Sequence, residues 1–475
     1  MSGNLPDLSD TTLEKLGASG ATLAELLEAN PNPVRALRSI PYTRPTAPSP
    51  LVLEYSNWTL EQASWRESVS LLHQSEHMST VFITGPDAHA FLSRLAVNSF
   101  AKFTPGRAKQ FIPTNGEGYM LGDGILVYME EESFQLIIDP AVALWVEFQA
   151  EIGTDNVKVV SDHPRHWYYP LREKDPVLYR YEIQGPDAMK VMEVALGEPA
   201  PDTKFFHLTQ ITIAGRTVNA LRHGMAGQPG FELFGPYADG EAVREALLEA
   251  GKPFGITPIG SIAYMSSNLE SGWLTIELPA VFTGESTKAY REWLPAATVG
   301  VIGGSFDSEN IEDYYVTPFD LGYGPFIDFE HEFIGREALL ALRDKPHREK
   351  VTLIWDEDDF ASLFHDLISP DTGLPPQRRA LHDTSYTVKQ YDAVQSNGKT
   401  VGIAVQSAYV APDRRFISLA LVDPEFAEPG TELTFLWGDS TTIPRPEIEP
   451  HRQVSVRVTV APTPFSAFAR ENYRK

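Results

Sequence analysis

Two histidines, His163 and His166, flank a proline in Asp162-His163-Pro164-Arg165-His166, a spacing from which imidazoles can share a metal ion. The proline breaks any helical face that would bring both rings to one side, so the segment reads as a surface loop and no metal is expected. The absence of cysteine removes a disulfide framework, a thiolate nucleophile, thiolate zinc sites and cysteine-ligated iron–sulfur clusters together. There is also no Walker loop, no G-x-G-x-x-G after a strand, no H-E-x-x-H and no G-x-S-x-G elbow. Single side chains remain. A tyrosine in Gly260-Ser261-Ile262-Ala263-Tyr264 can donate a proton at neutrality, because phenols ordinarily titrate near about 10. Glu232, in Gly230-Phe231-Glu232-Leu233-Phe234, can accept hydrogen bonds in pairs. Each has a plain structural alternative: one of 18 tyrosines packed in a core, and the solvent face of an alternating strand.

The elements that must position them repeat. Thr80-Val81-Phe82-Ile83 reads as a strand, Thr84-Gly85-Pro86-Asp87 as a turn and Ala88 to Leu95 as a helix. The same order returns in Tyr181-Glu182-Ile183-Gln184, Gly185-Pro186-Asp187 and Ala188 to Leu196, which predicts two related α/β lobes. Gly124 to Tyr128 and Phe134 to Ile138 predict a hairpin closed by a charged turn, and Ile211 to Leu221 and Phe231 to Phe234 predict further strands. Helices are expected at Gly240 to Ala250 and around Ser261 to Leu269. Beyond Lys350, short β runs (Lys350–Trp355, Thr400–Gln406, Phe416–Val422, Glu432–Trp437, Val454–Val460) favour a closing barrel or sandwich. Near the start, Ala21 to Leu27 reads as a helix with Thr22 as N-cap. Six prolines from Pro31 to Pro50 then predict an extended arm or lid.

At 475 residues the chain exceeds one compact core, so an arm (1–50), a pair of lobes (51–345) and a β-rich module (346–475) are expected. A formal charge of −25, with no basic cluster to reverse it locally, argues against nucleic acid as a partner. Met1 to Leu16 is acidic and polar where a signal peptide needs a basic end and an apolar run, and no stretch reaches the about 18 apolar residues of a membrane span. A cytoplasmic protein without a membrane partner is expected.

From about Ser56 to Val460 the chain resembles the aminomethyltransferase (glycine-cleavage T-protein) superfamily, through segments met in order. These are His77-Met78 before Gly85-Pro86-Asp87-Ala88, Gly106-Arg107-Ala108-Lys109-Gln110 before Gly118 to Tyr128, Pro229-Gly230-Phe231-Glu232-Leu233, Leu269-Glu270-Ser271-Gly272, Pro318 to Gly324, and Phe333-Ile334-Gly335-Arg336-Glu337-Ala338-Leu339. Within it, Ser56-Asn57-Trp58, Leu221 to Gly227, Ala289 to Pro295, Ile302 to Phe306 and Asn310 to Val316 are similar to the bacterial aryl O-demethylases of vanillate and syringate. Asn268 stands where aminomethyltransferases proper carry an arginine, and Gly122-Asp123 replaces their paired aspartates; both departures count against glycine cleavage.

The resemblance implies an α+β, three-domain fold: two related α/β lobes and a C-terminal β-barrel around a central tetrahydrofolate site. It implies transfer of a methyl from a methoxylated aromatic to N5 of tetrahydrofolate. An aryl oxide is a poor leaving group without a proton, and general acid help is worth about 10²–10⁴ in rate. By resemblance Tyr264 supplies that contact and His77 touches the aromatic ring, so both count as catalytic and His77 also as substrate-binding. Glu232 would accept from the pterin, Trp273 would wall it, and Gln74 and Ile137 lie where relatives contact the cofactor.

The vanillate-type enzymes grip the substrate carboxylate with an arginine after the second hairpin strand; aligned through Phe134 to Ile138, this chain has Asp139 there. Either the donor lacks that carboxylate, or another cation such as Arg44 on the arm replaces the arginine; a chlorinated methoxybenzoate such as dicamba, handled by a demethylase of this type, is one candidate donor. An N- or S-methyl donor, or a folate-binding protein without turnover, are the competing readings.

Overall fold

The computed structural model describes residues 21–30, 32–39, 52–164, 175–274, 278–298, 300–379, 388–443 and 448–472. Its repeat is visible backbone against backbone. Strand β1 (Val69–His73) precedes β2 (Ser79–Thr84), which runs through Gly85-Pro86-Asp87 into the helix Ala88–Leu95. Then β3 (Arg107–Phe111), β4 (Gly124–Glu130), β5 (Ser133–Ile138), the helix Pro140–Ile152 and β6 (Lys158–Asp162) complete a lobe. The second lobe repeats this as β7 (Leu178–Gln184), the turn Gly185-Pro186-Asp187, the helix Ala188–Leu196, β8 (Leu208–Ile213), β9 (Arg216–Leu221), β10 (Gly230–Pro236), the helix Gly240–Gly251 and β11 (Ile256–Ile259). Gly85 and Gly185 adopt φ of +129° and +134°, and a Cβ at either would lie 2.3 or 2.5 Å from a neighbouring carbonyl oxygen, so both turns require glycine.

The first sheet is ordered β3-β4-β5-β2-β6 and the second β8-β9-β10-β7-β1-β11. The orders correspond strand for strand except for β1, which comes before the first lobe in sequence but inserts into the second, antiparallel to β7 and parallel to β11. The chain therefore passes from one sheet to the other within residues 74–78. Along β7 the side chains alternate, as strand geometry demands. Tyr179, Tyr181 and Ile183 join Val191, Met192 and Leu247 in the core of the second lobe. The opposite face carries Arg180, Glu182 and Gln184, all buried.

The β-rich tail is a closed barrel, which decides between the two alternatives expected from its sequence. Strands β13 (Glu349–Trp355), β15 (Asp392–Ser396), β16 (Lys399–Val410), β17 (Arg415–Val422), β18 (Glu432–Trp437) and β19 (Val454–Ala461) close in the order β13-β17-β16-β15-β18-β19. Closure leaves no exposed edge, and Trp355 fills the interior with its indole N–H donating to Ser418 Oγ at 2.8 Å. A parallel pair, β12 (Val301–Gly303) with β14 (Val388–Gln390), lies beside it in the sequence order.

The helix expected at Ala21 to Leu27 runs Leu23–Ala29, with Thr22 and Glu25 forming a reciprocal capping box. The extended arm is corrected in part: residues 33–39 form a helix, because Pro33 occupies the first turn, where its missing N–H costs nothing. The remainder of that stretch, with Arg44, lies outside the described residues. No helix among the described residues is long and apolar enough to cross a membrane.

Candidate active site

Tyr264 lies on the helix Ser261–Ser271, whose start is fixed by its N-terminal N–H groups. Ser261 and Ile262 donate to the carbonyls of Val52 and Leu53 at 2.9 and 3.1 Å. The N–H of Gly260 donates to Glu61 Oε2 at 2.8 Å, and Glu61 Oε1 takes the N–H groups of Tyr55 and Ser56 at 2.7 and 2.8 Å. This fully buried carboxylate ties residues 55–56 to the first turn that carries Tyr264. The Tyr264 oxygen accepts from Gln74 Nε2 at 3.3 Å, and its ring meets His77 edge-on with centroids 4.5 Å apart. Gln74 and His77 both belong to the crossover between the sheets, so three expected residues converge there. Burial holds the His77 imidazole down at about 4, which keeps it neutral at neutral pH.

Tyr264, His77, His73, Glu76, Leu72 and Tyr55 line a pocket of about 20 Å³, room for little more than water. Tyr55 and His73 also line a groove of about 610 Å³ bounded by Tyr181, Tyr237 and Arg244. The two cavities thus share Tyr55 and His73 in their walls.

Glu232 is not the solvent face of its strand; it is 4% exposed. It stands directly opposite Glu182 across the β10–β7 pair, which places two carboxylates on one buried face. Burial pushes Glu232 up, but hydrogen bonding from His223 and the Arg180 charge outweigh it and the net shift is downward. Arg180 Nη1 donates to Glu232 Oε1 at 2.7 Å. The same guanidinium reaches Thr80 Oγ1 and Gln135 Oε1 of the first lobe, each at 3.5 Å, and lies over the Phe234 ring at 4.6 Å. One cation thus bridges the two sheets. Glu182 receives the N–H of Met225 at 2.7 Å and also Gln74 Nε2. Burial, with the charge of Glu232, raises Glu182 to about 8.

Ile137 is buried on β5, paired with Thr80, and so lies next to the Arg180 bridge. Trp273 belongs to a separate cluster: its indole N–H donates to Asp123 Oδ2 at 3.0 Å, which also takes Tyr323 Oη at 2.8 Å and Gln110 Nε2. Burial raises Asp123 despite these bonds. Asp139 has a task of its own, as N-cap of the helix Pro140–Ile152, where Oδ1 accepts from Ala141 N–H at 2.8 Å. A capping position before Pro140 calls for a short acceptor side chain, which accounts for an aspartate at this position. His163 Nδ1 pairs with Ser79 Oγ at 2.8 Å and Nε2 faces Glu147 at 3.6 Å, while His166 lies outside the described residues. Among the described residues, no three His, Asp or Glu side chains gather as metal ligands would.

Sequence reasoning missed Arg180, Glu182, Asp123 and Gln110. In Tyr179-Arg180-Tyr181-Glu182-Ile183-Gln184 the polar positions alternate as on a solvent-facing strand. Residues 225–228, whose N–H groups bond Glu182 and Gln184, together with the first lobe around Arg180, turn that face inward.

The chain matches the GCVT N-terminal domain model over residues 53–278. It is 42% identical to syringate O-demethylase of Sphingobium sp. over 462 residues, covering 95% of this chain and 97% of that one. It is 29% identical to sesamin methylene transferase of Sinomonas sp., over 88% of this chain and 91% of the relative. The aminomethyltransferase of Caldanaerobacter subterraneus is 24% identical over 80% of this chain and 87% of its own. The fold matches the glycine cleavage aminomethyltransferase T of Bartonella henselae, with a TM-score of 0.60 at 18% identity, over 87% of this chain and 91% of that one. With a buried carboxylate pair between two related lobes and a closed barrel after them, the chain belongs to the aminomethyltransferase superfamily, in the group that contains the tetrahydrofolate-dependent O-demethylases.

Proposed function

We propose that the chain is a tetrahydrofolate-dependent O-demethylase that takes a methyl group from a methoxylated aromatic and leaves a phenol. The observation that carries this reading is the convergence of Tyr264, Gln74 and His77 beside the buried carboxylates Glu182 and Glu232. These residues fit a pterin. Its ring edge presents several N–H donors, and acceptor-only Glu232, held ionised by Arg180, can take two of them. Gln74 and the buried Ile137 would lie along the ring, and Trp273 would form a wall. Bound tetrahydrofolate would supply N5 as the methyl acceptor. As the ether C–O bond breaks, Tyr264 would give its proton to the aryl oxygen, and the N–H proton that the acceptor nitrogen loses in taking the methyl would restore the Tyr264 phenol, so that ether and N–H become phenol and N-methyl with no net change on the protein. Neutral His77 would pack against the donor ring without adding charge.

The lining of the inner pocket includes the Glu76 carboxylate. This, with Asp139 capping a helix, favours donors whose carboxylate, if any, is directed away from it, with Arg44 a candidate partner. We assign residues 1–50 to an arm, 51–345 to the lobes and 346–475 to the barrel domain, and place the protein in the cytoplasm. The test is purified protein with tetrahydrofolate and a panel of methoxyaromatics, with and without carboxylates, followed for phenol and 5-methyltetrahydrofolate. Stoichiometric appearance of both is expected. Folate binding without phenol from any donor would leave only a binding protein, and turnover of N-methyl donors alone would move the chain to another reaction.

A further inference from the structure

We propose that Glu182 is a positioning residue: its ionisation decides which end of the Gln74 amide faces Tyr264, and so whether Tyr264 keeps its proton for the ether oxygen. This rests on the reading of Tyr264 as the proton donor. Gln74 Nε2 donates both to Glu182 Oε2 and, at 3.3 Å, to the Tyr264 oxygen. An ionised carboxylate has no proton to give, so it can only accept, and it holds the amide with its NH₂ toward Glu182 and Tyr264. The phenol oxygen is then an acceptor toward Gln74, and Gln74 does not hold the Tyr264 proton.

If Glu182 carries a proton, the order reverses. The acid donates, the amide turns by half a rotation to present Oε1, and that same oxygen accepts the Tyr264 O–H. The phenol proton is then engaged inside the protein. An amide is suited to this exchange because its two ends have the same shape and opposite hydrogen-bonding character.

The surroundings place the exchange near neutrality. Glu182 is wholly buried; on β10 it faces Glu232, which is held by Arg180 and His223, and across Gln74 it faces Tyr264 and His77. Burial first, then the Glu232 charge, lift its pKa to about 8, against the Met225 N–H and Gln74, which lower it. His77, at about 4, does not titrate in this range. The sign follows: Gln74 stops competing for the Tyr264 proton as Glu182 ionises, so activity should rise with pH.

The experiment is the pH profile of kcat/KM for the methoxyaromatic donor at saturating tetrahydrofolate. One ionisation centred near 8 gives a roughly tenfold rise from pH 7 to pH 9 in the wild type. Glu182→Gln keeps the shape and cannot ionise, so that rise should vanish. Gln74→Leu, which cuts the link, should flatten the same limb and serves if Glu182→Gln fails to fold by circular dichroism. A wild-type profile flat from pH 7 to 9, or a limb retained in either variant, overturns the proposal. Tyr264→Phe separates the two readings. If it turns over normally, the donor reading falls and this one with it; if it is impaired while Glu182→Gln keeps the limb, only the role of Glu182 falls.

Discussion

At the scale of the residue, Tyr264 is the proposed proton donor, and its surroundings decide what it can do. Its oxygen accepts from Gln74, its ring is fixed by His77, and its helix is seated on the carbonyls of Val52 and Leu53. Phenylalanine keeps the ring and removes only the donor. Tyr264→Phe is therefore expected to spare folding and folate affinity and to cut turnover by at least about 10². The deficit should shrink as the phenol produced becomes more acidic, because chlorinated or nitrated aryl oxides leave with less help. Equal losses for every leaving group, measured across a series of substituted anisoles, would make Tyr264 a wall of the pocket. Tyr264, His77 and Gln74 were legible only through resemblance, since a lone tyrosine has no pattern. Glu182 and Arg180 were hidden by an alternation that, in one strand alone, reads as a wet face; burial of that face depends on residues 225–228 and on Thr80 and Gln135 of the first sheet, none of them local to the strand.

Elements with strong local signals were read correctly. The Gly-Pro-Asp turns, the Glu130–Ser133 hairpin and five of the six barrel strands declare themselves by turn residues, a tight charged turn and β-branched runs, whereas β15 (Asp392–Ser396) was not read. The helix Pro140–Ile152 was missed because its apolar residues nearly surround it: Val142, Ala143, Leu144, Trp145, Val146 and Phe148 are all buried, so no amphipathic period survives. Asp139 begins that helix, and its role there is testable. Asp139→Ala should lower stability by about 1 kcal/mol, the typical worth of an N-cap, and Asp139→Asn, which retains an acceptor, should cost much less. Urea titrations of the three proteins would show this as a shift of midpoint at constant slope. If Asp139→Asn is as damaging as alanine, the charge rather than the cap matters, and a direct part in donor binding becomes the better account.

Across the whole molecule, the order of the strands makes the two lobes interdependent despite their common pattern. β1 lies ahead of the first lobe in the chain but fills the gap between β7 and β11 in the second, and the link that follows it carries Gln74 and His77. The candidate site is assembled where the chain changes sheets, which is why neither lobe holds it alone. Removing residues 1–77 would strip both β7 and β11 of a partner strand and take out Val69, Leu71 and Leu72, all buried. At about 1.5–3 kcal/mol for each large side chain, that loss alone approaches the roughly 5–15 kcal/mol that holds an ordinary domain together. The remaining chain should therefore lose the second lobe although every one of its own repeat elements is present. Circular dichroism and urea unfolding should show a smaller, broader transition, and a peptide spanning residues 52–77 should restore a cooperative one by pairing in trans. A truncated protein that unfolds cooperatively with the slope of the intact chain would mean that β7 and β11 close on each other without β1, as β2 and β6 do in the first lobe, and that the inserted strand serves only to deliver Gln74 and His77 to the site.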